Sequence, residues 1–356
     1  MATITHVQEA TNAEGERIML AVAYSEDIHN ESRYSAYVPV YDTTTKFSLT
    51  QIFDFEDRGH YADPAKPNLL SKSNSSLKVS KFTPRVGTEI TGLQLSQLTD
   101  AQKDELALLI AERGVVVFRN QDFKDIVFWS SVGAHVKDHI EFHSIYLGKD
   151  NLYRLGRSTS KLTSTGYHSD VSYEHQPPAI TILTLVQVPE TGGDTGWTSQ
   201  AAAYERLSDP LKVFLEGLRA EHSGFEQAEK AARDGHFIRR EPVKSYHPVV
   251  RVHPVTKQKV LFVNPGFTKR IVGLKDEESD TILKLLFSHI AASQDIQARV
   301  KWDDRTVALW DNRVTVHTAI SDYDVSEEGE GLRQGFRITT LGEIPVGVNG
   351  LKSEWD

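Results

Sequence analysis

The sequence predicts a mainly β protein with flanking helices, a barrel or sandwich, and three observations carry that expectation. Strand-like apolar runs recur at uneven intervals through the second half of the chain, helical periodicity is confined to a few stretches set between them, and no repeat of 20–50 residues is present. At 356 residues with 39% hydrophobic side chains, the chain can bury a sizeable core. Length alone would suggest about two domains at roughly 150 residues each. The pattern favours one large barrel, residues 78–356, preceded by an N-terminal extension, residues 1–77, that wraps it.

In chain order, residues 1–77 are polar and punctuated: Asn30-Glu31-Ser32, the Thr run 43–45 and Lys72-Ser73-Asn74-Ser75-Ser76 read as turns and linkers. Tyr34–Tyr41 alternates enough for an edge strand. The N-terminus lacks the basic start and apolar h-region of a secretory signal. The pattern tightens from Lys78. Thr99–Arg113 is a helix with Thr99 as N-cap, Leu106, Leu109 and Ile110 on one face, and Gly114 as the stop. The run GVVVFRN that follows is β-branched, as a buried strand would be. Further strands are expected at Ala179–Gln187, Val249–His253, Lys259–Val263, Arg305–Trp310, Val314–Ile320 and Arg337–Leu341. Helices are expected at Gln200–Arg206, at Pro210–Leu218 behind a Ser208 cap, and at Asp276–Ala292. In the last, Ile282, Leu285, Leu286 and Ile290 have helical spacing.

Composition excludes several chemistries. There is no cysteine, so disulfides, iron–sulfur clusters, thiolate zinc sites and cysteine nucleophiles are ruled out; a metal site must use His, Asp, Glu and water, and 14 histidines are available. A net charge of −9 argues against a partner recognised through nucleic-acid phosphates or an anionic membrane surface. No stretch approaches the roughly 18 apolar residues that cross a bilayer, so a cytoplasmic enzyme is the default. No GxSxG elbow, GxxxxGK[ST] phosphate loop or HExxH zinc helix occurs.

Two histidine patterns remain. On a helix His139 and His143 would share a face, but Glu141 is wrongly placed for a metalloprotease. The stronger pattern is Gly166-Tyr167-His168-Ser169-Asp170. On a strand, His168 and Asp170 project to one side and could grip one ion, and a second imidazole would complete the facial triad of non-haem Fe(II) oxygenases. Taken alone, the tripeptide also fits a hydrogen-bonded His–Asp pair. His317, on a late apolar strand after Trp310-Asp311-Asn312-Arg313, supplies the missing imidazole. Arg333 and Arg337 follow it, and a guanidinium fork near the metal suits the distal carboxylate of a 2-oxo acid. Separately, His317 could be a satisfied core residue and either arginine a solvated one.

Together these motifs resemble the taurine/α-ketoglutarate-dependent dioxygenase (TauD/TfdA) family, in look nearest its fungal sulfonate-dioxygenase-like members. The likeness runs in order through GVVVFRNQ at 114–121, the HxD segment with Pro177-Pro178, PETGGDTGWTS at 189–199, LEGLRAEHS at 215–223, REPVKSYHPVVRVHP at 240–254, LFVNPGFTKRIVG at 261–273 and the block from Trp310 to Arg337. The resemblance implies a double-stranded β-helix (jelly-roll, cupin-like) core and an oxidoreductase that couples decarboxylation of 2-oxoglutarate by Fe(II) and O2 to oxidation of a small anionic substrate, an alkanesulfonate such as taurine releasing sulfite. It implies His168, Asp170 and His317 as iron ligands, Thr195 and Arg333 as 2-oxoglutarate residues, and Arg337 and Phe267 at the substrate. It also implies a homo-oligomer, dimer or tetramer.

Departures set the chain apart from the taurine enzymes. Ser164 stands where they carry Asn, Tyr167 where Trp is frequent, and Phe336 where a small residue is common. The substrate histidine could be His139 or His143, with Tyr146 three residues on favouring His143, and an acidic loop, 323–331, could serve as a lid. Two alternatives follow: the same cofactors with an amino acid or secondary-metabolite intermediate, giving hydroxylation, desaturation or ring closure; or a non-enzymatic jelly-roll binding module.

Overall fold

The computed structural model describes residues 48–122, 166–233, 238, 240–320, 322–323 and 332–356, and the backbone of 6–11, 17–22, 40–42 and 143–147. The chain opens with β1 (His6–Thr11), β2 (Arg17–Val22) and β3 (Val40–Asp42), continues through β4 (Lys78–Lys81) and β5 (Thr88–Thr91) to helix α1 (Asp100–Arg113), then β6 (Val115–Phe118), β7 (His143–Leu147), β8 (Pro178–Gln187) and β9 (Thr195–Ser199). Helices α2 (Gln200–Glu205) and α3 (Asp209–Glu216) lead to β10 (Arg219–Ser223), α4 (Phe225–Arg233), β11 (Lys244–Pro248), β12 (Val250–Val252), β13 (Lys259–Leu261) and β14 (Thr268–Ile271). After α5 (Asp276–Ala292) come β15 (Gln297–Val300), β16 (Val307–Asp311), β17 (Thr315–Ala319), β18 (Arg333–Leu341) and β19 (Glu354–Trp355).

Seven strands form one sheet in the order β4-β5-β6-β16-β8-β18-β7, antiparallel except for the β5–β6 pair. A second sheet, β15-β9-β17, faces it. Strand alternation divides the apolar side chains between two layers. Val115, Val117, Leu183, Leu185, Ala308 and Trp310 turn inward and meet Trp197, Ala298 and Val300 of the facing sheet. Val116, Phe118, Val307 and Leu309 turn outward, under Leu106, Leu109 and Ile110 of α1. Both faces of β6 are therefore covered, which is why its four residues are all apolar. This is the jelly-roll that the resemblance implied.

Helix α1 has the expected ends. Thr99 and Gln102 form a reciprocal capping box, and Gly114, at φ +74°, closes the helix with its N–H on Ile110 O. A third cluster packs α2, α3 and α5 against β10, β13, β14 and the outward Val316 of β17. Helix α5 has the expected span but not quite the expected face: Leu283, Leu286 and Ile290 are buried, while Leu285 is 50% exposed. Sequence periodicity missed β1, β2, β4, β5, β7, β9–β11, β14, β15, β19 and α4. Most are short and mixed in polarity, and β1 has Val7 as its single large apolar residue. Of the edge strand expected at Tyr34–Tyr41, only Val40 and Tyr41 lie within the described residues, in β3.

Residues 57–70 are anchored to the barrel. Glu105 of α1 accepts from Leu69 N (2.6 Å) and Asn68 Nδ2 (2.7 Å), and Arg58 pairs with Asp104. Buried Asp57 accepts from Arg313 Nη1 at 2.5 Å. Arg313 in turn clamps Asp311 through Nε (2.8 Å) and Nη2 (2.6 Å), and Asp311 accepts from His253 Nε2 at 3.0 Å. This ionic cluster ties down the end of β16 and the turn leading to β17.

Candidate metal centre and cosubstrate site

His317 lies on the inner side of β17, since its neighbour Val316 packs outward on the helices. His168 meets it through a backbone bridge, with N–H to O distances of 3.0 and 2.8 Å in the two directions. Apart from that bridge, the HxD segment is turn rather than the expected strand, and Asp170 reaches back toward the two rings. Asp170 Oδ1 is 3.7 Å from Nε2 of each histidine, the ring centroids are 4.4 Å apart, and the three donor atoms all lie within 4.8 Å of one another.

The other atoms of these side chains hold them in that pose. His168 Nδ1 sits 2.7 Å from Gly166 O and must donate there, leaving the Nε2 lone pair to face the triad. Asp170 Oδ2 accepts from Thr181 Oγ1 at 2.7 Å, and Thr181 accepts from Asn312 Nδ2 at 2.8 Å. Asn312 Oδ1 accepts from Asp170 N and Trp310 Nε1, both at 3.1 Å. This closed circuit leaves Oδ1 as the oxygen presented to the histidines. The Trp310 ring lies 4.6 Å from that of His317, whose buried Nδ1 has no partner among the described residues.

The electrostatics suit a divalent cation. Burial, reinforced by His168, pushes His317 down to about 3, so it is a neutral imidazole at physiological pH. Burial opposes ionisation of Asp170, but Arg337 and the two imidazoles outweigh it and hold the carboxyl below its ordinary range. Neutral nitrogen and ionised oxygen are the ligand states a metal needs. Two imidazoles and a carboxylate, with no sulfur, form the donor set of non-haem Fe(II), so the residues present fit that ion.

Arg333, 2% exposed, donates from Nε to Gly193 O at 3.0 Å and from Nη2 to Thr195 Oγ1 at 3.2 Å. Among the described residues no carboxylate pairs with it, and burial lowers it to about 10. Thr195 Oγ1 also accepts from Trp302 Nε1 at 2.9 Å. A buried guanidinium without a counter-ion is a site for an anion. Trp302 and Asn312 went unnoticed in the sequence as site residues, because their roles depend on strand register rather than on spacing.

The expected substrate residues divide. Arg337 Nη1 lies 2.5 Å from Asp170 Oδ1, and its buried Nε has no partner among the described residues. Phe267 stands edge-on to His168 at 6.1 Å and to Tyr173 at 5.1 Å. Phe336 is not brought to the triad: alternation puts it on the outward face of β18 with Ile338, opposite Arg337. His143 opens a strand rather than a helix, opposite Arg337 in register, and Tyr146 is opposite Gln334. His139, Ser164 and the loop beyond Tyr323 lie outside the described residues.

Comparison with known proteins agrees with this geometry. Residues 78–339 match the family model described as taurine catabolism dioxygenase TauD, TfdA family. The chain is 40% identical over 331 residues to the alpha-ketoglutarate-dependent sulfonate dioxygenase of Saccharomyces cerevisiae, spanning 89% of this chain and 79% of that protein. It is 42% identical over 333 residues to the alpha-ketoglutarate-dependent dioxygenase cnsP of Penicillium expansum, spanning 88% and 87% respectively. A taurine dioxygenase from Burkholderia xenovorans superposes with a TM-score of 0.64 at 34% identity, spanning 79% of this chain and 96% of that one.

Proposed function

The chain belongs to the taurine catabolism dioxygenase TauD, TfdA family, and from that premise we propose that it oxidises a small organic anion, in the first place an alkanesulfonate, with release of sulfite. It is an Fe(II)- and 2-oxoglutarate-dependent dioxygenase. His168, Asp170 and His317 would hold Fe(II), which with 2-oxoglutarate would supply the O2 activation needed for substrate oxidation. Arg333 and Thr195 hold the distal carboxylate of 2-oxoglutarate and so set its orientation toward the triad. Phe267 and Trp310 set apolar surface beside His168 and His317.

The observation that carries the substrate reading is Arg337, a guanidinium beside the triad with a buried Nε that lacks an acceptor among the described residues. It supports an anionic head group held next to the metal, with His143, opposite Arg337 in register, and Ser164 as further substrate residues. A second reading rests on the same residue. Arg337 already accommodates a carboxylate, that of Asp170, and an amino acid or secondary-metabolite acid would present the same group. Succinate and sulfite formation from a panel of alkanesulfonates, against amino acids followed by mass spectrometry, separates the two. Sulfonate-dependent sulfite release supports the first reading, and succinate formation stimulated by amino acids alone overturns it. Asp170→Ala should abolish turnover with every substrate.

Residues 1–77 act as an extension wrapping the 78–356 barrel, and the enzyme works as a cytoplasmic homo-oligomer. The contacts of Asp57, Arg58 and Leu69 support the extension. No helix among the described residues is long and apolar enough to cross a membrane.

A further inference from the structure

The double-glycine turn before β9 brings a tyrosine to the cosubstrate arginine. Gly192 and Gly193 have φ of +78° and +69°. A Cβ on Gly192 would come within 2.8 Å of Asp322 Oδ1 and 3.0 Å of Tyr323 Cβ, and one on Gly193 within 3.3 Å of Tyr323 Cε1. The turn is bare so that residues 322–323 can close on it. Asp322 fastens the contact, with Oδ1 accepting from Gly193 N at 3.0 Å and Oδ2 from Arg299 Nη2 at 2.7 Å. On the other side, Gly193 O accepts from Arg333 Nε. Tyr323 and Arg333 thus share one glycine as a support.

Among the described residues, three groups here keep a proton with no acceptor. Tyr323 is 8% exposed and its hydroxyl is buried without a hydrogen-bond partner, a costly state for a phenol unless a ligand completes it. Thr195 Oγ1 accepts from both Trp302 and Arg333, so its lone pairs are used and its own proton is left over. Arg333 uses only Nε and Nη2 on protein atoms. Burial keeps the phenol protonated, raised to about 12 although Arg333 opposes the shift, so it donates throughout the physiological range. A carboxylate has about four lone-pair sites and can accept from all three groups.

We propose that Tyr323 is a further ligand of the distal carboxylate of 2-oxoglutarate, completing with Arg333 and Thr195 a three-donor anion cradle. This rests on the dioxygenase reading above. Tyr323→Phe removes the donor and keeps the ring. Calorimetric titration of the Mn(II)-loaded protein with 2-oxoglutarate should show affinity roughly ten- to a hundred-fold weaker in the variant. Pyruvate, which keeps the chelating 2-oxo acid but lacks the distal carboxylate, should bind both proteins alike. The melting temperature should be at or above that of the wild type, since an unsatisfied hydroxyl has been removed.

Unchanged 2-oxoglutarate affinity overturns the proposal, as does an equal loss for pyruvate, or a rise in KM confined to the primary substrate. If wild-type protein binds Mn(II) but no 2-oxoglutarate, the dioxygenase reading itself falls, and the two failures are thereby distinguished.

Discussion

Asp170 shows how much of a metal ligand lies in the atom that does not face the metal. Its Oδ2 is fixed by Thr181 and its backbone N–H by Asn312, and this restraint, with Arg337 on Oδ1 itself, aims Oδ1 at both imidazoles. Thr181→Val keeps the shape and removes the hydroxyl. The expected outcome is Mn(II) affinity about ten-fold weaker and a lowered melting temperature, since buried Asn312 Nδ2 loses its acceptor, with recovery of both in Thr181→Ser; a metal titration and thermal melts of the three proteins check it. His168 and Asp170 were legible in the sequence because two residues apart is a chemical pattern. Thr181 was not, because it comes from β8, 11 residues further on, and is one of several threonines in an ordinary strand.

At the scale of elements, β18 decides the site. Arg333, Gly335 and Arg337 are at alternate positions, with Gly335 and Arg337 opposite Leu185 and Leu183 of β8. The strand begins at Arg333, four residues before the sequence-based expectation, because Arg-Gln-Gly has no apolar signature and is paired only through its neighbours β7 and β8. Gly335 sits where the register shifts, and a Cβ there would fall onto Thr184 O and Leu185 Cδ2. Gly335→Ala should push β18 away from β8, cost about 1–3 kcal/mol in denaturant unfolding, and weaken 2-oxoglutarate and substrate binding together, since both arginines ride on the displaced strand. Loss of one without the other would show that the two sites are not mechanically joined. By contrast, α1 was legible from end to end, since Thr99, Gln102 and Gly114 are local signals that need no tertiary partner.

Over the whole molecule, stability is tied to buried groups that must keep one charge state. His253 accepts at Nδ1 from Val255 N and Thr256 N and donates from Nε2 to Asp311; His222 is held between Ser172 and Phe262 O. Both imidazoles are neutral in the fold, with His222 pushed down to about 3 by burial and His253 also lowered, chiefly by burial and then by Arg313. A histidine whose folded pKa lies below its unfolded value stabilises the fold above about pH 6.5 and loses that contribution as pH falls. Unfolding free energy should therefore decline as pH falls below about 6.5, approaching about 1.4 kcal/mol per pH unit for His222, with His253 adding in the same direction. The depressed carboxyls of Asp311 and Glu343 add a second loss below about pH 4. Chemical denaturation at pH 7.5 and 5.5 checks the first window, and a flat profile there would contradict it. By itself the sequence determined a mainly β fold and picked out the His168–Asp170 pair, because alternation, caps and a two-residue donor spacing act over a few residues; His317 and Arg333, far along the chain, joined that pair only through the family resemblance of separated motifs. Only the tertiary structure decided which oxygen of Asp170 faces the histidines, which way Phe336 turns and what Tyr323 stands beside, because hydrogen bonds and strand register join residues far apart in sequence, and periodicity does not encode that distance.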